Sequence, residues 1–392
     1  LLTLLPSECE ADNRTNIHSF DYYSQEDGLP NNQIQCIFQD NRGWIWLGTS
    51  QGLSRFDGYR FVNFINNPDD TASLSGRIIR VIFETSDGRL LIGTENGGLN
   101  LFDRDREIFI HPYKNDSEFS TPGISVNAIT EDARGNIWLG TDLNLLLIDS
   151  AGTLKRIVPV SQDDTPYEPE LFIRSIQQDD TGNLWIGATQ GLFVYNPVTN
   201  VMEELMLPLA GTQSGEVLEI IEDEEGLLWV GTYTGGLFII DPVSRDIRHI
   251  ELEPVYERTE TVRAISRGNL GDYWIGTRGG LYVYSKTKGV TGFFRHDDRD
   301  SRSLANNSVW DIFHDSRGET WIGTRNGLNL LARSKQVFRS FSALPNDNRY
   351  LNSSIIYAFW IDDRDRIWIG TEDGGINIYD PSTGTFEYLT SD

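Results

Sequence analysis

Apolar residues in this chain come in short bursts closed by turn signals, and no stretch of any length keeps a helical period. Four kinds of burst follow one another. The first begins with an apolar pair position and then alternates, as in Val309-Trp310-Asp311-Ile312-Phe313-His314. The second is apolar almost throughout and ends Gly-Thr, as in Trp138-Leu139-Gly140-Thr141. The third is compact, as in Leu237 to Ile240 or Leu281 to Tyr284. The fourth alternates over Gln336 to Phe341, which suits an outer, half-solvated edge. Read as strands a, b, c and d, they form a unit whose second phrase recurs eight times. Its glycines fall at positions 48, 93, 140, 187, 231, 276, 323 and 370, with steps of 44 to 47 residues. A period in the forties with four short strands per unit predicts an all-β fold, a β-propeller of four-stranded antiparallel blades.

Turn chemistry brackets the b strand. Asp40, Asp132, Asp179, Asp223, Asp315 and Asp362 stand six residues before the Trp position, with Thr85 and Gly268 as the exceptions. A glycine follows three residues later in seven copies and Asp365 in the last. Asp bonds its own turn backbone and Gly accepts positive φ, so Asp-x-x-Gly predicts the a–b hairpin turn. A second glycine, or Asn144 in the third copy, opens the c strand and is expected in the left-handed region. The Trp position holds Trp46, Trp138, Trp185, Trp229, Trp274, Trp321 and Trp368, with Leu91 in copy two. An indole buries about 150–250 Å², so these residues are expected to fill the wedges between blades. A tryptophan-lined ligand platform is the rival reading.

Strand arithmetic bears on the number of blades. Asn16 to Tyr23 reads as a d strand before the first a strand, and Thr385 to Leu389 as another at the end. Eight blades need eight d strands, and nine are found. A seven-bladed ring over residues 16–335 resolves the excess, its first d strand completing blade seven beside Leu328 to Leu331. Residues 336–392 would then be the first blade of a second propeller, and residues 1–15 an export-signal remnant or a disordered start. A single eight-bladed ring is the alternative.

Charge and cysteine usage narrow the setting. The 392 residues carry 58 acids against 33 bases, a net charge of −25. That argues against nucleic acid, which needs basic surface for phosphate contacts, and against an anionic membrane. No run of eighteen apolar residues appears. Cys36 lies in an a strand, where a small hydrophobe is expected, and Cys9 lies in the apolar start, with a cleavage position after Ala11. An export remnant with so few cysteines points to a bacterial periplasm.

The phrases Glu26 to Asn31, Asn41 to Thr49 and Gly52 to Asp57 resemble the two-component regulator propeller repeat, and the resemblance runs from Ile17 onward. It implies the periplasmic sensor region of a membrane receptor, with two seven-bladed rings, a β-sandwich, a membrane helix and a histidine kinase or diguanylate cyclase. It also implies an oligosaccharide ligand. On this reading the partners are the missing second propeller, the downstream signalling modules and a second copy of the chain, as a homodimer.

One position breaks the apolar repeat. Eleven residues before the Trp stand Gln35, Arg80, Asn127, Arg174, Leu218, Arg263, Trp310 and Tyr357, each following an apolar residue. Such a polar and aromatic ring suits a channel lining that binds a sugar acid or a partner loop. The same side chains would otherwise bond blade to blade or stay wet in an unused channel. Tyr233, Arg278, Arg325 and Glu372, in the b–c turns of the same face, are secondary candidates. The five histidines lack metal-ligand spacing, no nucleophile elbow appears, and no cofactor is expected. Among 58 acids a glycosidase-like pair can always be found, so the repeated Asp residues read as turn caps. The fragment is expected to be no enzyme. A carbohydrate-active propeller hydrolase and a pure protein-interaction scaffold are the alternatives.

Overall fold

In a computed structural model, residues 20–113, 123–166, 171–209, 215–253, 259–268, 271–300, 302–331, 351–381, 383 and 385–390 are described. The export remnant, Cys9, the d strand predicted at Gln336 to Phe341 and the loop at 345–350 lie outside them. The described strands form eight four-stranded antiparallel sheets, each a meander. The chain divides into two compact units at residues 333 and 334.

In the first unit seven sheets are joined by separate apolar clusters, each packed between two neighbouring sheets. Their a strands, beginning at Ile34, Ile79, Val126, Ile173, Val217, Val262 and Val309, neighbour one another in sequence, and Ile34–Gln39 lies against Val309–His314 to complete a circle. The strand Asp21–Tyr23 pairs with the c strand Gly327–Leu331, Tyr23 opposite Leu328 and Asp21 opposite Leu330. The chain's first described strand is thus the outer edge of its seventh sheet. Apolar contact ties the same seam: Trp321 stacks on Tyr23 at 6.2 Å and meets Phe56 edge-on at 5.8 Å.

Each b-strand Trp sits in the cluster it shares with the following blade. Trp185 packs with Val217, Leu228 and Phe238, and Trp229 lies flat on Tyr273 at 3.8 Å. Trp46, Trp138, Trp185, Trp229, Trp274 and Trp321 are all buried, and Leu91 takes the same place in blade two. A buried indole N–H must find an acceptor. It finds the Asp six residues earlier: Trp46 to Asp40 at 2.9 Å, Trp138 to Asp132 at 3.0 Å, Trp185 to Asp179 at 2.9 Å, Trp229 to Asp223 at 2.8 Å and Trp321 to Asp315 at 3.1 Å. The other carboxylate oxygen caps the turn, as where Asp179 Oδ1 accepts the backbone N–H of Thr181 and Asn183. The Asp is therefore more than a turn cap. In blade six, where Gly268 replaces it, Asp272 accepts from Trp274 at 3.0 Å. In blade two Leu91 needs no acceptor, and Thr85 stands in the Asp place. Burial raises the Asp179 pKa, yet the donors from Thr181, Trp185 and Asn183 outweigh it and hold the carboxyl below its ordinary range.

The glycine two residues on is required by the neighbouring blade. A Cβ at Gly48 would stand 2.8 Å from Ile79, at Gly140 2.5 Å from Ile173, at Gly231 2.8 Å from Val262 and at Gly323 2.8 Å from Ile34. The last pair joins blade seven to blade one. The c-strand turn differs in detail from expectation. Where two glycines occur, the second takes positive φ (Gly98 at 74°, Gly236 at 80°), and Asn144 is not left-handed. Its turn closes instead on the Thr141 hydroxyl, which receives the Asn144 N–H at 2.9 Å and donates to the Asn144 carbonyl at 2.7 Å.

The second unit holds one sheet, with strands Ile356–Ile361, Ile367–Thr371, Ile376–Asp380 and Thr385–Leu389. It keeps the indole bond, Trp368 to Asp362 at 2.9 Å. Its a strand is exposed throughout, Phe359 at 77% and Ile361 at 58%, and Trp368 is only half-buried. The nearest atom to a Cβ on Gly370 is the Ala358 carbonyl oxygen at 3.8 Å.

Removing an indole from the ring leaves a cavity, so Trp185→Ala should cost ~3–5 kcal/mol. Asp179→Ala strands a buried N–H and a turn, at ~1–3 kcal/mol. Chemical denaturation of both single variants and the double variant should show strong non-additivity, because the two changes remove one shared bond. Gly231→Ala should cost ~1–3 kcal/mol by overpacking. Gly370→Ala should stay within ~0.5 kcal/mol, and a comparison of unfolding midpoints reads the difference.

Candidate functional site

The ring of polar residues is made possible by a bulge. In every a strand of the ring the ladder slips at one residue: Ile34 pairs with Thr49 but Cys36 with Gly48, leaving Gln35 unpaired. The same slip frees Arg80, Asn127, Arg174, Leu218, Arg263 and Trp310. A bulge re-aims side chains. The preceding residue stays fully buried, from Ile34 through Val309, and the freed residue joins the channel wall. Gln35, Arg80, Asn127, Arg174, Leu218, Arg263 and Trp310 line one central cavity of about 620 Å³ together with Tyr233 from a b–c turn.

Hydrogen bonds run round this mouth. Gln35 donates to the Ser50 hydroxyl at 3.0 Å and accepts from Arg80 at 3.3 Å. Arg80 also pairs with Glu95. Asn127 donates to the Ile173 carbonyl of the next blade at 3.1 Å, and Arg174 reaches Glu216 at 3.3 Å. Arg263 donates to Ser308 at 3.1 Å and lies 4.5 Å above the Trp310 ring. Arg278 donates to the Tyr233 hydroxyl at 3.1 Å. Several candidates thus do bond blade to blade, and among the described residues Arg80 Nε, Arg174 Nε and Trp310 Nε1 are buried without a hydrogen-bond partner.

Below the mouth the wall is Cys36, Val81, Ala128, Ser175, Glu219 and Asp311. Sequence reasoning missed its two carboxylates, which stand at the position after the bulge. Asp311 accepts the Ile37 N–H of blade one at 2.6 Å, as the Ser175 hydroxyl accepts that of Ile220 at 3.1 Å. Both are blade-to-blade ties. Burial pushes Asp311 up to about 6. Burial, with the Asp311 charge adding to it, pushes Glu219 up to about 8. Burial likewise raises the Cys36 thiol, which is no nucleophile. Among the described residues no three His, Cys, Asp or Glu side chains gather closely enough to hold a metal ion.

Comparison with known proteins fits the repeat and its ring. The two component regulator propeller family matches residues 28–51, 73–96, 120–142, 167–190 and 303–326. These five segments are two component regulator propeller repeats. A curated relative, Histidine kinase P4 of Formosa agariphila, is 41% identical over 56 residues, which cover 14% of this chain and 4% of that protein. Among solved structures, the extracellular domain assigned to the hybrid two component system BT3049 of B. thetaiotaomicron superposes with a TM-score of 0.69 at 22% identity, over 95% of this chain and 49% of that one. The corresponding domain of BT4673 gives 0.68 at 22% identity, over 95% and 53%. This regulator propeller spans about half the length of those two chains. Streptogramin B lyase shares the fold, with a TM-score of 0.59 at 17% identity over 80% of this chain and 98% of that one.

Two groups of expected site residues separate from the central cavity of the regulator propeller. Arg278 and Arg325 line a second cavity of about 630 Å³ with Asn306, Ser308 and Asn326. Tyr357 is not part of the seven-sheet ring: it belongs to the second unit, is 69% exposed and donates to Glu372 at 2.6 Å. Its sequence position matches the ring residues because copy eight repeats the same strand, but it lines neither cavity.

The raised carboxyls fix a pH response. A carboxyl whose folded pKa exceeds its unfolded one favours the protonated folded state, so its contribution is complete below the unfolded value and is lost as pH rises through the folded one. For Glu219 that window runs from its ordinary 4.5 to about 8. Melting temperature should therefore fall between pH 5 and 8 more steeply in the wild type than in Glu219→Gln, measured by differential scanning calorimetry.

Proposed function

We propose that this propeller is the ligand-sensing region of a membrane-bound signalling receptor of the two-component or diguanylate cyclase type, held on the periplasmic side and binding a carbohydrate at the channel-mouth face. The observation that carries the reading is the freed residue of each bulge. Seven blades hold the preceding residue fully buried and apolar, yet the next position carries Arg80, Asn127, Arg174, Arg263 and Trp310 around a cavity of about 620 Å³. Guanidinium groups fork onto sugar oxygens and aromatic faces cover sugar rings, both on a rigid frame. The relatives, a histidine kinase and extracellular domains of two component systems, agree with a receptor.

The sheet of the second unit supports a further part of the reading. Its a-strand apolar residues are exposed where their counterparts in the ring are buried, and space lies open over Gly370. We take it as the opening blade of a second ring. The kinase or cyclase output belongs to segments beyond these repeats, and the fragment itself performs no catalysis.

The test is a thermal-shift and calorimetric screen of the full chain against neutral and acidic oligosaccharides. A binder should be found whose affinity falls at least tenfold in Arg174→Ala while the melting temperature stays within a few degrees of wild type. Loss of folding without a separate loss of binding would assign Arg174 to the scaffold. Release of reducing ends during the screen would favour the hydrolase alternative.

A further inference from the structure

The charges of the mouth are not spread evenly. The residue directly after Trp-x-Gly-Thr begins each b–c turn on this face. It is Glu95 and Asp142 in blades two and three, but Arg278 and Arg325 in blades six and seven. On the acidic side the charges are used: Glu95 pairs with Arg80, and Asp142 accepts the Ser125 N–H at 2.9 Å. On the other side Arg263, Arg278 and Arg325 have no carboxylate partner among the described residues. Arg278 and Arg325 line a cavity of about 630 Å³ whose wall, among the described residues, is arginine, asparagine, serine and glycine with no acid. That cavity meets the central one through two hydrogen bonds, Arg263 to Ser308 and Arg278 to Tyr233, each joining a residue of one wall to a residue of the other.

Clustering unpaired cations has a cost. Burial, then the Arg278 charge, lowers Arg263 to about 10, and Arg325 and Arg174 add to the effect. A chain of net charge −25 has acids enough to neutralise any arginine it needs only for structure. Three guanidiniums left without one, beside open space, form a receptor for an anion that the rest of the surface repels.

The geometry points to an anion subsite in the sector of blades six and seven, where Arg263, Arg278 and Arg325 take the carboxylate or sulfate of an acidic sugar whose ring lies toward Trp310 and Tyr233. The anion subsite stands on the arginines alone. Its assignment to a sugar rests on the proposed function. A uronic acid and a sulfated sugar share the chemistry, and the test separates them.

The experiment follows thermal unfolding of the full chain in low-salt buffer with D-galacturonate, D-galactose or inorganic sulfate, for the wild type and for Arg278→Gln/Arg325→Gln. Galactose is the neutral counterpart of galacturonate. Galacturonate should raise the wild-type Tm saturably, by about 2 °C or more, and galactose should not. The double variant, altered in two b–c turns, should melt within a few degrees of wild type without ligand, since removing like charges offsets the lost Arg278 bond to Tyr233, and should lose the shift. Sulfate acting where galacturonate does not would keep the subsite and assign a sulfated ligand. An equal shift in the double variant, an equal shift with galactose, or no wild-type shift with either anion overturns the subsite. If a neutral oligosaccharide then still binds in an Arg174-dependent way, the receptor reading stands and only the anion subsite falls.

Discussion

The fold depends on a bond between each indole and its own turn. A Trp between two twisted sheets brings the largest apolar surface available, but it also brings an N–H that cannot stay unpaired there. Placing the acceptor six residues upstream solves this within one hairpin. One Asp caps the a–b turn with one oxygen and takes the indole with the other, as Asp179 does for Thr181, Asn183 and Trp185. The wedge filler is thereby held by its own blade before the next blade arrives. Cations from the following blade complete the arrangement at some seams, Arg104 to Asp40 at 3.2 Å and Lys286 to Asp223 at 2.7 Å. Blade two supports the logic by its exception, because the copy without an indole is also a copy without the Asp.

Rigidity at the seams sets what the middle of the ring can do. The Gly of each b strand admits the first a-strand residue of its neighbour, so that residue has no freedom in size or polarity. The bulge that follows releases one residue per blade from these demands. Variation collects there: glutamine, arginine, asparagine, arginine, leucine, arginine and tryptophan in seven consecutive blades. A scaffold that repeats at every seam and differs at the freed position and the one after it is a frame for recognition by chemistry rather than by shape change.

Much of this was legible in the sequence, and the failures have physical reasons. Period, turn glycines and buried tryptophans follow from local rules, so the all-β propeller and the seam residues could be read directly. The channel ring was legible because polar residues broke an apolar pattern at a fixed offset. Glu219 and Asp311 were missed because their position alternates with alanine, valine and serine, and an isolated acid in an acidic chain gives no signal. The indole–Asp bond had a signal, the joint change at Thr85 and Leu91, but a turn-cap role already accounted for the Asp. Tyr357 was grouped with the ring residues by its repeat offset alone, although its blade already read as the start of a second unit. Asn144 failed differently: its turn closes on the Thr141 hydroxyl, as the turns at Gly52 and Gly327 close on theirs, but without the positive φ those glycines take.

Electrostatics gives the mouth a direction that neither the repeat nor the net charge would produce. At the mouth itself Arg80 and Arg174 each meet an acid. Two consecutive b–c turns carry arginine instead, next to a third at the bulge, with no carboxylate partner among the described residues. The seams do not use these three side chains as they use Asp311 or Ser175, whose oxygens accept backbone N–H groups of the next blade. What distinguishes Asp311 and Ser175 from Arg263 and Arg278 is the partner each takes: the next blade's backbone for the first two, and the Ser308 and Tyr233 side chains beside the two cavities for the arginines.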